Sequence, residues 1–256
     1  MNTGLDGKRA LVLGASKGLG YGIARGFAAE GAKVALTSRD LDTAAKAAAG
    51  IGAKGFRCDT HKLEEIEALH RDVQSAFGGV DVLVLNSGGP PPSGAQGVSS
   101  EQWRASFEGM FVSLVRLTDL ILPGMIERKF GRIIMIVAAG VIEPLPNLAI
   151  SNAIRSALVG WGKSLANEVG KHNITVNAIA PGRIATDRLA QIDKANAAKK
   201  GRSVEDEKTN AEAIIPVGRY GTVEEYAATA VFVASEAASF MTGSILRVDG
   251  GAIASR

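Results

Sequence analysis

The 256-residue chain sets 29 Lys and Arg against 26 Asp and Glu, scattered along its whole length, for a formal charge of +3; with no basic arm, a nucleic-acid partner is not expected. With 46% hydrophobic, 21% charged and only 5% aromatic residues, the chain holds enough aliphatic material for a large core, which excludes a disordered or supercharged protein. Its 31 glycines in 256 residues, about 12% against a usual ~7%, favour thin, closely packed α/β layers. The single cysteine, Cys58, excludes an intrachain disulfide and a cysteine zinc cluster and suits a reducing compartment. The opening Met-Asn-Thr-Gly-Leu-Asp-Gly-Lys lacks an apolar signal core, and the most apolar run, 133–142, is too short to span a bilayer. The expectation is a cytoplasmic protein with no membrane partner.

Taken in chain order, residues 9–13, 33–37, 55–58, 80–85, 132–137, 174–179 and 244–248 read as strands. Each reads as apolar rather than alternating, the pattern of strands covered on both faces. Between them lie helix patterns, among them 19–30, 63–77, 101–129 and 152–172, which right-handed crossovers place on both faces. The expected fold is α/β: a single doubly wound, Rossmann-like domain over 1–256 with a seven-stranded parallel sheet. The charge-rich segment 185–216 reads either as a substrate lid over a cleft or as a solvated surface helix pair.

The first strand runs into Gly14-Ala15-Ser16-Lys17-Gly18-Leu19-Gly20 and then directly into a helix. Glycine permits the tight turn and the close approach of backbone to a pyrophosphate, and the helix N-terminus offers free N–H groups and a positive dipole end. This is a dinucleotide site. At the end of the second strand, where an acidic residue would grip the ribose hydroxyls of NAD, stand Ser38 and Arg39, with Lys17 adding a second cation; the pair suits the 2′-phosphate of NADP. NAD remains the alternative, with both cations merely solvated. Asp40 reads as the N-cap of the next helix.

With these residues in view the chain resembles the short-chain dehydrogenase/reductase family over essentially its full length, and within it the bacterial 3-oxoacyl-acyl-carrier-protein reductase-like members. The glycine loop, Asp59, Asn86-Ser87-Gly88-Gly89, Pro181-Gly182, Thr242-Gly243 and Val248-Asp249-Gly250-Gly251 carry the likeness. Loop and resemblance together imply a cofactor set of Gly14, Ser16, Lys17, Gly18, Leu19, Gly20, Ser38, Arg39, Asp59, Asn86, Gly88, Arg155, Pro181, Gly182 and Ile184, and a small-molecule substrate. The family's Tyr-x-x-x-Lys falls at Ser151 and Arg155, its serine at Ala138 and its helix asparagine at Met110. None of the tyrosines, Tyr21, Tyr220 and Tyr226, has Lys four residues on.

An aliphatic hydroxyl is a far weaker acid than a phenol, and a guanidinium stays protonated, so Ser151 and Arg155 do not copy the family's proton transfer. A positioned general acid contributes roughly 10²–10⁴ in rate. Two readings stand: an NADP-dependent oxidoreductase with an atypical site, or an NADP-binding sensor or assembly partner without turnover. Glu143, in Glu143-Pro144-Leu145-Pro146, is the candidate substitute acid if burial raises its pKa; otherwise it is an exposed loop residue. His61, His70 and His172 read as surface residues and Cys58 as a small core residue; no metal-ligand spacing is found. Pro90, Pro91 and Pro92 stiffen the loop after strand four, as a cleft wall or only a surface turn. On helix 152–172 a stripe of Ala153, Ala157, Gly160 and Ser164, with an apolar face of Phe107, Phe111, Leu114 and Leu117 on helix 101–129, gives the expectation of a homotetramer.

Overall fold

Side chains of the inner strands leave the sheet alternately up and down, and nearly all of them are apolar. Leu11 and Leu13 enter one buried cluster while Ala10 and Val12 enter the other, and Leu83 and Leu85 separate in the same way from Val82 and Val84. Two cores on one sheet require helices on both faces. The computed structural model, which describes residues 2–255, has this arrangement. The chain runs β1 (Arg9–Val12), α1 (Gly18–Ala29), β2 (Lys33–Ser38), α2 (Leu41–Ala49), β3 (Lys54–Arg57), α3 (Leu63–Phe77), β4 (Val82–Leu85), α4 (Ser100–Phe107), α5 (Ser113–Arg128), β5 (Gly131–Ile136), α6 (Ala149–Val169), β6 (Ile174–Pro181), α7 (Asp187–Lys200), α8 (Val204–Ala213), α9 (Val223–Ala234) and β7 (Ile245–Val248). The strands form one seven-stranded sheet, β3-β2-β1-β4-β5-β6-β7, parallel at every pairing. Helices α1, α2 and α9 contribute Ile23, Phe27, Ala44 and Tyr226 to one core; α3, α5 and α6 contribute Leu69, Leu117 and Leu158 to the other.

Three expectations need correction. The edge strands β3 and β7 are not apolar and covered throughout: Lys54 and Arg57, and Ile245 and Arg247, are exposed, although in β3 Gly55 lies against Ala44 of α2 and Phe56 joins the core with α3. Helix 101–129 is interrupted by a π-helical turn, Glu108–Val112, between α4 and α5. Its apolar face is largely internal, since Leu114 and Leu117 are fully buried in the chain's own core, leaving Phe107 as its exposed member. By length and composition alone the continuous stretch Ser100–Arg128 is long and apolar enough to cross a bilayer. Its face of Leu114, Leu117, Ile121 and Met125, however, packs with Ile66, Leu69 and Val73 of α3 as part of the core. Segment 185–216 is a helix pair, α7 and α8, whose buried Asp193 and Glu207 are held by Arg183 and Tyr220 and by Lys200 and Arg202.

The amino ends of β1 and β4 are tied by one carboxylate. Asp81 accepts from the main chain and guanidinium of Arg9 at 2.6–3.0 Å and from Arg128 Nε at 3.1 Å, with its side chain 9% exposed. Burial alone would raise its pKa, but the hydrogen bonds from Arg9 and the charges of Arg9 and Arg128 outweigh it and hold the carboxyl below its ordinary value. A carboxylate depressed in the folded state stabilises above the unfolded-state pKa and loses that contribution as pH falls through the lower folded value. Asp81→Asn is therefore expected to cost about 2 kcal/mol at pH 7, with the gap from wild type narrowing below about pH 4. Urea unfolding at neutral and acid pH reads this, and a gap independent of pH would contradict it.

Candidate active site

The loop between β1 and α1 is held from two sides. From β2, the Gly14 N–H donates to Thr37 Oγ1 at 3.0 Å and the Ala15 N–H to the Thr37 carbonyl at 2.8 Å. From the end of β4, the Asn86 amide donates to the carbonyls of Leu13 and Gly14, both at 3.1 Å. Gly14 and Gly18 lie in the left-handed region, at φ +54° and +60°, where a side chain is strained. Gly20 is needed for another reason: a Cβ there would stand 2.6 Å from the Gly14 carbonyl and 2.9 Å from Asn86 Nδ2. Helix α1 begins after Lys17 with no side-chain cap and no acidic residue in its first turn, so its leading N–H groups are open to an anion. Ser16 and Lys17 border the turn, while the Leu19 side chain packs on the core beneath it. Thr37 was not singled out in the sequence, and its role rests on a contact across 23 residues that no local pattern shows.

At the end of β2, Ser38 is half-buried and Arg39 exposed. Neither Arg39 nor Lys17 forms an ion pair among the described residues, whereas the nearby Arg57 is held by Glu65. Asp40 caps α2 as its sequence position suggests, accepting from the Thr43 N–H at 2.8 Å, and this pairing with Thr43 lowers its pKa. Asp59 after β3 is engaged by His61, whose N–H and ring Nδ1 both lie 3.1 Å from Oδ1. Burial works against this carboxylate, but the hydrogen bonds from His61 and the charges of His61 and Arg39 lower its pKa. The His61 ring also lies against Gly109 in the π-helical turn, where a Cβ would meet it at 2.6 Å. His61 is exposed, yet it lines a cleft of about 300 Å³ with Gly88, Gly89, Pro90, Pro91, Gln102, Ala105, Ser106 and Met110, a role not visible in the sequence. Cys58 is buried, and burial, then Glu65 and Asp59, push its thiol up to about 12, so it is an inert core residue.

Arg155 and Ser151 lie one turn apart on α6, each 8% exposed. Arg155 donates to the carbonyls of Ile136 at 2.6 Å and Ser87 at 3.4 Å, at the carboxyl ends of β5 and β4. The Ser151 hydroxyl has no partner among the described residues. Ala138 directly follows β5, and Met110 packs against Ile150 and Ile154 of α6. Glu143 does not join them: it is exposed, so the burial its candidacy as an acid required is missing. None of the three tyrosines has its hydroxyl engaged with Ser151 or Arg155. Tyr220 donates to Asp193 and Tyr226 to the Ile179 carbonyl, and the Tyr21 hydroxyl lies beside Gly50. The proline loop forms a fixed wall, since Ser93 N–H donates to the Asn147 carbonyl and Ala149 N–H to the Ser93 carbonyl. On the far side, Pro181 ends β6, and Gly182 sits so close to Asp249 that a Cβ would come within 2.6 Å of its Cα. Ile184 is buried and bridged to Gly221.

A domain with helices on both faces of a parallel sheet, a glycine turn at the β1–β4 switch point and a cleft at the carboxyl ends of the strands is a dinucleotide-binding domain. Residues 14–252 match the family model described as Enoyl-(Acyl carrier protein) reductase. The 3-oxoacyl-acyl-carrier-protein reductase FabG of Vibrio cholerae is 34% identical, over 96% of this chain and 98% of its own. The D-beta-hydroxybutyrate dehydrogenase of Cupriavidus necator is 35% identical, over 98% and 99%. The L-sorbose reductase of Gluconobacter frateurii, solved with NADPH and L-sorbose, superposes with a TM-score of 0.94 at 33% identity, covering all of both chains. The chain belongs to the short-chain dehydrogenase/reductase family.

Proposed function

We propose that this protein is an NADP(H)-dependent oxidoreductase acting on a carbonyl or alcohol substrate, with 3-oxoacyl compounds the first class to test. The observation that carries the cofactor reading is the pair of unpaired cations, Lys17 and Arg39, beside Ser38 where an acidic ribose partner would otherwise stand. The open N-terminus of α1 and the glycine turn fit a pyrophosphate, and the cations fit a 2′-phosphate. The NADPH held by the L-sorbose reductase, a full-length structural match, supports the same choice. Arg39→Asp is expected to weaken NADPH binding at least tenfold and to reverse the preference over NADH, read by calorimetry with both cofactors. Equal affinities in the wild type would remove the reading.

The bound nicotinamide supplies or accepts the hydride; the remaining tasks fall to the chain. Arg155 keeps a fixed positive charge at the inner end of the cleft and can donate to a ribose hydroxyl. Ser151 offers a hydroxyl to a substrate oxygen but does not release its proton near neutral pH. Because the site lacks a phenol acid, simple ketone reduction is expected to fall from a typical ~10 s⁻¹ to about 10⁻¹–10⁻³ s⁻¹. Ser151→Tyr with Arg155→Lys and Ala138→Ser should raise steady-state reduction of an acetoacetyl thioester well above wild type. A wild-type rate near 10 s⁻¹ would mean that the protein holds its own efficient acid. NADPH binding with no turnover in either form favours the second reading, a cofactor-binding sensor or assembly partner, for which the absence of a tyrosine in the cleft speaks.

For assembly the proposal is a homotetramer. Ala153, Ala157, Gly160 and Ser164 are all exposed on α6, so the stripe is not used by the chain's own sheet, and Phe240 is fully exposed. A Cβ at Gly160 would meet nothing within 4 Å inside the chain, so Gly160→Trp should split the assembly without unfolding the protomer. Light scattering after size exclusion tests this, and a wild-type mass near 26.5 kDa would refute it.

A further inference from the structure

Five charged side chains are buried among the described residues: Asp81, Arg132, Arg155, Asp193 and Glu207. The three acids each hold a cation, and Arg132 lies within the field of Glu236. Arg155 alone faces no opposite charge. The one titratable group whose charge would act on it is Tyr226, whose phenol burial keeps protonated, and two carbonyl dipoles cover only part of a guanidinium with five N–H donors. Burying an unpaired charge is costly, and such residues are rarely inside unless paired. One turn earlier stands Ser151, equally buried and with its hydroxyl unpartnered. Both belong to a 21-residue helix that starts at Ala149 with no side-chain cap and no acid in its first turn, so its positive dipole end adds to the same spot. The seam between Ser93 and residues 147 and 149 fixes this helix start before any ligand arrives.

We propose that Arg155 and Ser151 form a carboxylate subsite, so that the substrate of the oxidoreductase described above is a free oxo or hydroxy acid. The planar guanidinium takes a carboxylate through two parallel hydrogen bonds, the serine hydroxyl donates a third, and the charge that the empty protein leaves uncompensated is neutralised by the substrate. This rests on the reductase reading and narrows it to acids over their esters and amides.

The test uses full-length protein saturated with NADP⁺, which has no hydride to give, so that binding is read without turnover. Acetoacetate and 3-oxohexanoate are titrated by calorimetry beside their methyl esters and amides. At least one acid is expected to bind tenfold or more tightly than its ester and amide. Arg155→Met should erase that preference while its ligand-free form unfolds at the same temperature as wild type or higher, and Arg155→Lys should keep part of it. Equal binding of acid, ester and amide in the wild type, or no binding of either acid, overturns the proposal. So does a ligand-free Arg155→Met that melts below wild type, which would make Arg155 a structural residue. NADP⁺ is titrated first. If it does not bind, the cofactor reading fails by itself, and the acids are then titrated into the free protein, where the same preference supports the subsite and its absence overturns it.

Discussion

Two hydrogen bonds from one side-chain amide fix the turn on which the candidate cofactor site depends. Asn86, at the end of β4, donates to the consecutive carbonyls of Leu13 and Gly14, binding the turn after β1 to the neighbouring strand at the point where the sheet reverses its winding. That clamp fixes the Gly14 carbonyl against the start of α1, where together with the Asn86 amide it leaves no room for a Cβ at Gly20. The residue next to it, Ser87, lends its carbonyl to Arg155. Two adjacent residues thus tie the end of β4 to the glycine turn on one side and to the buried guanidinium of α6 on the other.

Aliphatic residues of similar length on both faces let the helices sit flat, and the glycine excess is spent where a helix must come closer still: at Gly162 a Cβ would run into the Met135 side chain beneath α6. Because β1, β4, β5 and β6 run parallel side by side, the segments that follow their carboxyl ends, far apart in the chain, emerge along the same edge of the sheet.

Much of this was legible in the sequence, and the failures have a common cause. The seven strands, the glycine turn, the cap at Asp40 and the core position of Cys58 each depend on local pattern, and local pattern is what a sequence displays. What escaped depends on distant partners. That Leu114 and Leu117 face inward is decided by α3 and the sheet, not by their own spacing. The lie of the His61 ring against Gly109 joins segments nearly 50 residues apart. Glu143 failed as a buried acid because the loop after β5 turns outward before reaching it. The edge strands misled for a simpler reason: β3 and β7 have neighbours on one side only.

The seam between the proline loop and the start of α6 has a consequence for how the protein opens. Ser93 both donates to residue 147 and accepts from residue 149, so the loop cannot lift without giving up both bonds to the start of α6, and that start cannot shift without releasing the loop. The two segments form a single unit of local unfolding. Their amide protons should exchange with solvent together, as one cooperative event, although more than 50 residues of chain separate them.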